Sequence, residues 1–334
     1  VYNRNKFNYF LDNNFRIFVY NLHIGKWRNL MARRTNTKIV EIQKPDLTVV
    51  PQIKTTAYND INLKNWKNYD YVKTDTLWEF PTRLKEGGHS NEYHGNFIPQ
   101  IAQQLYWRYT KENDVVLDLF FGSGTSGIEA INMNRRCIGV ELKEEQAEKV
   151  SEKFTPKQLV TDVNVICADS ASEIAKEKIK ARLDIMRKDK AQLLILHPPY
   201  DDIIKFSDKK EDLSNCNSTE EFYDGFEKVA KNGYDLLEDK RFAALIIGDK
   251  YADGEIVSLG FECQERMKRL GFRHKTTIVK DMQGNEKAKG KDANLWRYRA
   301  LAGGFNIFKH EYIMIFQKDE AHKRKIEKLN KIAI

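Results

Sequence analysis

Three acidic residues, each near the end of a short apolar run, are the first candidates for chemistry: Asp118 in VVLDLF, Glu141 in CIGVEL and Asp169 in VNVICAD. A fourth run, LLILH (193–197), ends in His197, Pro198, Pro199 and Tyr200. Proline has no N–H to give to a ladder and holds φ near one value, so a pair makes a stiff, extended exit from a sheet. Such an exit suits a place where another group docks against the backbone. Taken alone, the two prolines are equally well explained as a turn that ends a strand.

Between Asp118 and the next strand lies FFGSGTSG, in which Phe120 leads into Gly122, Ser123, Gly124 and Thr125 and then a helical stretch. Glycines let a ligand approach the backbone, and a helix N-terminus offers free N–H groups. A P-loop would need Gly-Lys-Ser/Thr, which the chain lacks. Gly122, Gly124 and Gly127 satisfy G-x-G-x-x-G, so the loop alone fits a nicotinamide dinucleotide or another nucleoside cofactor. The carboxylates separate these. Glu141 stands where it can accept both ribose hydroxyls of an adenosine, and Asp169 where it can accept from the adenine amino group. Asp118 would oppose a pyrophosphate. S-adenosylmethionine has no phosphate and carries a sulfonium and an ammonium, which Asp118 suits. Each carboxylate alone is an ordinary polar strand end; three around one Gly-rich turn point to this cofactor.

The elements that must position these residues begin near Trp78. Apolar strands at 115–120, 137–142, 163–169, 193–197 and 242–249 alternate with helix-like segments at 99–109, 126–133, 144–154 and 218–237. The last segment opens with a capping box, Ser218 with Glu221. Near-continuous apolar strands alternating with helices predict an α/β fold, a parallel sheet covered on both faces. HKTTIVK (274–280) and YIMIFQ (312–317) follow with no clear helix between them and predict a closing antiparallel pair at one edge. Residues 1–75 are polar and Asn-rich, with short strand-like pieces at 38–42 and 47–53.

The 334 residues are 41% hydrophobic and 31% charged, enough for one large domain with an appendage. No apolar run approaches the roughly 18 residues of a membrane span, and the first residues do not resemble a secretory signal. The chain begins with Val, so the natural N-terminus is expected upstream. Cys137, Cys167, Cys216 and Cys263 lack pair spacing and read as reduced thiols of a cytosolic protein, with no metal site. The net charge of +8 favours a polyanionic partner, and KWRNLMARR (26–34), KAKGK (287–291) and WRYR (296–299) mix cations with aromatics or glycine.

His197-Pro198-Pro199-Tyr200 resembles the D/N/S-P-P-Y/F/W signature of methyltransferases that act on exocyclic or amide nitrogens. In the order found, the chain resembles the DNA amino-methyltransferases of the N6-adenine or N4-cytosine kind. DLFFGSGT resembles that family's D-P-F-x-G-S-G-T, with Leu119 where proline is usual. TLWEFPTR (76–83) and HGNFIPQIAQQL (94–105) resemble the segment that closes over the methionine end of the cofactor, which adds Asn96 and Phe97 to the cofactor-binding candidates. The resemblance covers residues 76–317; the first 75 match no family by eye.

The resemblance implies a Rossmann-like class I methyltransferase fold: a mostly parallel seven-stranded sheet with helices on both faces, plus an N-terminal extension. Residues 1–75 become a candidate DNA-contacting region, 76–317 the catalytic domain and 318–334 a charged helical tail. It implies site-specific methyl transfer from S-adenosylmethionine to the amino group of a flipped-out base, adenine favoured over cytosine. The implied partner is double-stranded DNA, with a cognate restriction enzyme as a candidate second partner. An exocyclic amine is a poor nucleophile because its lone pair is delocalised into the ring. The His197 side chain and the Pro198 carbonyl stand where acceptors on its N–H groups would pull it toward a tetrahedral nitrogen, and Tyr200 gives a face for stacking. His197 stands where the family has Asp, Asn or Ser; a neutral imidazole can still accept, and a protonated one cannot. The rival readings are an RNA or protein-amide N-methyltransferase and a non-catalytic, methyltransferase-like DNA-binding subunit. A dehydrogenase leaves Pro-Pro-Tyr unexplained, and carbon-5 cytosine chemistry lacks its Pro-Cys pair.

Overall fold

The computed structural model describes residues 9–11, 17–19, 56–89, 95–154, 162–282 and 293–332. The basic stretches 26–34 and 287–291, and the strand-like pieces at 38–42 and 47–53, lie outside the described residues. The chain divides into two units, Val1–Gln52 and Ile53–Ile334. In the first, β1 (Tyr9–Leu11) and β2 (Ile17–Val19) form an antiparallel pair with Tyr9 opposite Val19.

The second unit holds β3 (Leu77–Trp78), α1 (Pro99–Tyr109), β4 (Val115–Asp118), α2 (Thr125–Asn132), β5 (Arg136–Glu141), α3 (Glu144–Glu152), β6 (Val163–Cys167), α4 (Glu173–Ile185) and β7 (Ala191–Leu196). There follow α5 (Thr219–Leu236), β8 (Leu237–Ile247), a small hairpin of β9 (Lys250–Ala252) and β10 (Glu255–Val257), and α6 (Leu259–Arg269). The unit closes with β11 (Phe272–Asp281), α7 (Ala293–Gly303), β12 (His310–Lys318) and α8 (Glu320–Ile332).

Eight strands make one sheet in the order β3-β11-β12-β8-β7-β4-β5-β6. The five from β8 to β6 are parallel, and β12 runs antiparallel between β8 and β11. The seven expected strands are all present. The eighth, Leu77–Trp78, adds parallel to β11 at the edge and is too short to give a periodic signal. The expected closing pair forms, but β12 inserts between β11 and the parallel set, and α7 stands in the connection where no helix was expected. The C-terminal tail is the expected helix, α8.

Side-chain alternation shows why both faces are covered. On β7, Leu193 and Ile195 join one apolar cluster while Leu194 and Leu196 join the other; on β8, Ala244 and Ile246 part in the same way from Ala243 and Leu245. Helices α4, α5 and α6 cover one face through Ile179, Phe226 and Met267. Helices α1, α2 and α3 cover the other through Leu105, Ala130 and Val150. The start of α5 has half its capping box: the Ser218 side chain accepts from Glu221 N, whereas the Glu221 carboxylate accepts from Asn217 N. Residues 56–75 pack on this same unit, with Tyr58 edge-on to Phe242 and Asn59 donating to the Arg108 carbonyl at 2.8 Å.

Two chain exits meet at the carboxyl edge. Strand order reverses between β4 and β7, where Asp118 pairs with Ile195, and open α/β sheets bind ligands in the crevice at such a point. The turn after β4 is clamped by a ring: Phe121 is buried, and a methyl group on Gly139 of β5 would fall onto it. Gly139→Ala is therefore expected to cost about 1–3 kcal/mol through overpacking. A urea midpoint equal to that of the wild type would show that Phe121 is not held there.

Candidate active site

A cavity of about 1070 Å³ opens at this edge. One end is built by the Gly-rich turn. Phe121 N donates to the Val140 carbonyl at 3.0 Å, tying the turn to β5. Gly122 N donates to Glu141 Oε2 at 2.9 Å, and the other Glu141 oxygen accepts from Lys143 N at 2.9 Å. Gln146 Nε2 and Lys153 Nζ cover the carbonyls of Gly122 and Ser123. Gly124 caps α2 with φ of 81°, where a side chain would be strained and a Cβ would press on Val150 at 2.7 Å. Glu141 and Asp169 line the cavity beside Phe120, Gly122 and Thr125.

Asp118 is placed differently from the direct cofactor contact that its sequence position suggested. It is buried beneath the turn, where it accepts from Phe120 N at 3.0 Å and from Ser126 Oγ at 2.5 Å. It is not one of the lining residues. Burial pushes its carboxyl up to about 6, against the pull of those two hydrogen bonds. Burial also raises Glu141, opposed by the N–H groups of Lys143 and Gly122. Ser123 likewise works from behind the wall, donating to Asn96 Oδ1 at 2.6 Å.

Asn96 does line the cavity, and its buried Nδ2 has no partner among the described residues. Arg83, on the same wall, donates to the Asn96 carbonyl at 3.2 Å and leaves its buried Nε unpartnered. Unpaired buried donors are rare because each costs its desolvation. Both residues line the cavity. Arg83 lies within the 76–83 stretch but was not singled out from sequence, since one arginine in a loop carries no periodic signal.

The other end is the strand exit. The His197 ring meets Phe97 edge-on at 5.4 Å between centroids and Tyr200 edge-on at 5.9 Å. Tyr200 OH donates to Glu311 Oε2 at 2.9 Å, and Glu311 Oε1 accepts from Lys280 Nζ at 2.8 Å. Asp201, in the left-handed region at φ 52°, pins the next turn to Lys250 at 2.7 Å and to Thr219 Oγ1 at 2.8 Å. Ile203, Ile204 and Phe206 continue the wall. Lys280 was not legible as a site residue, and Glu311 only as part of the aromatic-rich stretch 303–312, which was expected to help line a base pocket. Their signal is a pairing between β11 and β12 that a linear reading does not contain.

Comparison with known proteins bears on this geometry. Residues 2–153 match the DNA methylase family. The matched stretch carries the Gly-rich turn and Glu141, and it begins at residue 2, well before the stretch in which a resemblance was visible by eye. The His-Pro-Pro-Tyr exit lies beyond it. Among curated proteins, the probable type III restriction-modification enzyme HindVI Mod subunit of Haemophilus influenzae is 36% identical over 87 residues, 25% of this chain and 12% of that protein. Type II methyltransferase M.SmaI of Serratia marcescens is 33% identical over 79 residues, 24% and 26%. A putative ribosomal RNA large subunit methyltransferase of Methanocaldococcus jannaschii is 24% identical over 204 residues, 57% and 49%. The chain thus spans at most about half the length of these relatives.

Burial holds the His197 imidazole down at about 4, opposed by the charge of Glu311 and reinforced by that of Lys280. The ring is neutral at pH 7 and is a hydrogen-bond acceptor at one nitrogen. The unfolded chain takes this proton near 6.5, so His197 lowers stability as pH falls from 6.5 toward 4. Asp118 acts in the opposite sense, since its folded carboxyl takes a proton near 6 and its unfolded one near 3.8. An NMR titration, with the His197 resonance assigned by its loss in His197→Asn, should show a ring still neutral at pH 6. A midpoint near 6.5 would mean that the ring is open to water.

Proposed function

We propose that this chain is an S-adenosylmethionine-dependent DNA amino-methyltransferase that acts on the exocyclic amine of a flipped-out adenine or cytosine, adenine favoured. One observation carries the reading: a single cavity at the switch point of the sheet has the Gly-rich turn with Glu141 and Asp169 at one end and His197-Pro198-Pro199-Tyr200 at the other. A methyl donor and a base would lie side by side there, which is what methyl transfer between them requires. The DNA methylase match over residues 2–153 supports the same class.

The lining fits the donor. Asn96 Nδ2 and Arg83 Nε are unpaired donors suited to a carboxylate, and the carboxylates of Glu141 and Asp169 suit ribose hydroxyls and an amino group. When bound, S-adenosylmethionine supplies an electrophilic methyl group. Asp118 and Ser123 serve it indirectly, by holding the turn and the Asn96 side chain. Phe97 braces the His197 ring. His197, neutral, accepts from the amine and directs its lone pair; Tyr200 stacks on the base, its angle set by the hydrogen bond to Glu311. Residues 1–75 are proposed to contact the DNA, and a cognate restriction enzyme is proposed as a partner.

A second reading, RNA as the polymer, rests on the putative ribosomal RNA methyltransferase, the relative that matches over the greatest length of those compared above. Methyl transfer from labelled cofactor to mixed DNA and to RNA, with nucleoside analysis of the product, separates the two. Label in N6-methyladenine or N4-methylcytosine of DNA is the expected result; label confined to RNA, or absent, would overturn the DNA assignment.

Glu141→Ala should weaken S-adenosylmethionine binding about tenfold or more, since it removes charge-assisted hydrogen bonds and frees the Gly122 N–H. Calorimetry would show it. His197→Ala should lower turnover roughly a hundredfold with cofactor affinity unchanged, by analogy with the loss of one positioned polar group, while His197→Asn keeps part of the rate. An alanine variant as fast as wild type would leave the amine to the proline carbonyl. On α7, Arg299 stacks over Trp296 at 5.2 Å and Tyr298 is exposed. If this face meets phosphate, DNA affinity should fall steeply with salt and Arg297→Ala with Arg299→Ala should flatten the slope by about two. A salt-independent affinity would argue against a DNA-bound helix.

A further inference from the structure

Resting on the proposed methyl transfer to a base, we infer that Lys280, held by Glu311, donates to the ring nitrogen next to the target amine, so that His197 and Lys280 together read the base edge. Lys280 and Glu311 are directly opposed across β11 and β12. β11 runs in the direction of the parallel set, so its last residues stand at the same edge as the His197 exit. Both side chains are buried, and both line the cavity with His197 and Tyr200.

The unspent hydrogen-bonding capacity is what points to a ligand. A lysine ammonium has three donors. Among the described residues Lys280 spends one, on Glu311 Oε1 at 2.8 Å. The Glu311 carboxylate is spent on both sides, by Lys280 and by Tyr200. A buried ion pair recovers its desolvation only when its remaining hydrogen-bonding groups also find partners. Lys280 is one of the residues that line the cavity. Glu311 accepts from Tyr200 OH at 2.9 Å, and the Tyr200 ring meets the His197 ring edge-on at 5.9 Å, so one residue links the ion pair to the imidazole.

Adenine presents an amino group next to an unprotonated N1, and cytosine an amino group next to an unprotonated N3. An acceptor followed by a donor is the complement of that edge, and His197 followed by Lys280 supplies it. Guanine and thymine carry an N–H at the corresponding ring position, which would face the ammonium donor to donor. A site built to hydrogen-bond a group discriminates strongly against an analogue that lacks it, because its own buried polar group is left unpaired. Lys280 is thus a specificity residue as well as a partner of Glu311, and the pair explains how the site selects an amino base without the usual Asp, Asn or Ser at position 197.

The test uses the full chain and a duplex bearing the methylated site, located by mapping the label to restriction fragments and sequencing, with the target base identified by nucleoside analysis. In a second duplex the target adenine is replaced by 1-deazaadenine, or the target cytosine by 3-deazacytosine, which removes the ring acceptor and keeps the amine. Wild-type kcat/KM is expected to fall roughly tenfold or more on the deaza duplex. Lys280→Met combined with Glu311→Gln should show a similar loss on the natural duplex and no further loss on the deaza one, with S-adenosylmethionine affinity unchanged. Any intrinsic change in amine reactivity cancels in that comparison. A double variant that keeps the full deaza penalty overturns the inference. Should that variant fail to fold, wild-type binding decides: about tenfold weaker affinity for the deaza duplex supports Lys280, and equal affinity rejects it. No transfer to any natural duplex would instead reject the parent reading, and this one with it.

Discussion

The pairing of β4 with β7 is the constraint on which the site depends. Asp118 opposes Ile195 in parallel register, and Leu119 N reaches the Ile195 carbonyl at 3.3 Å. That one ladder brings the Gly-rich turn and the proline exit, which lie about eighty residues apart in the chain, to adjacent positions at one edge. A slip of one residue would turn Leu194 and Leu196 to the opposite face and exchange the two apolar clusters. Burial on both faces therefore enforces the register, and the register makes the cavity.

Within that frame the buried ionisable groups have different tasks. Asp118 is a structural carboxylate whose two oxygens hold the turn; its raised carboxyl shows how much the fold gives up to keep it there. Glu141 does similar work with Gly122 but remains on the cavity wall. Burial pushes the Glu311 carboxyl up, but the Lys280 charge and hydrogen bond outweigh this and lower it on balance, so it stays an acceptor for Tyr200. His197 is held neutral by burial. The result is a cavity whose wall carries Asn96 and Arg83, the carboxylates of Glu141 and Asp169, and His197, Lys280 and Tyr200.

Much of this was legible in the linear sequence because it rests on local rules. Alternating apolar runs and helical periods determined a parallel sheet with both faces covered. The glycine spacing and the acidic strand ends at Glu141 and Asp169 marked residues that line the cavity, and the two prolines marked the strand exit. Only the tertiary structure decided the rest. It turned Asp118 inward, because the turn's own N–H and the Ser126 hydroxyl need an acceptor where water cannot reach. It made an edge strand of Leu77–Trp78, which is too short to show a period and exists through its pairing with β11. And it set Lys280 against Glu311 beside His197, a contact between residues 31 apart that comes from antiparallel register, which no residue type or spacing in the chain announces.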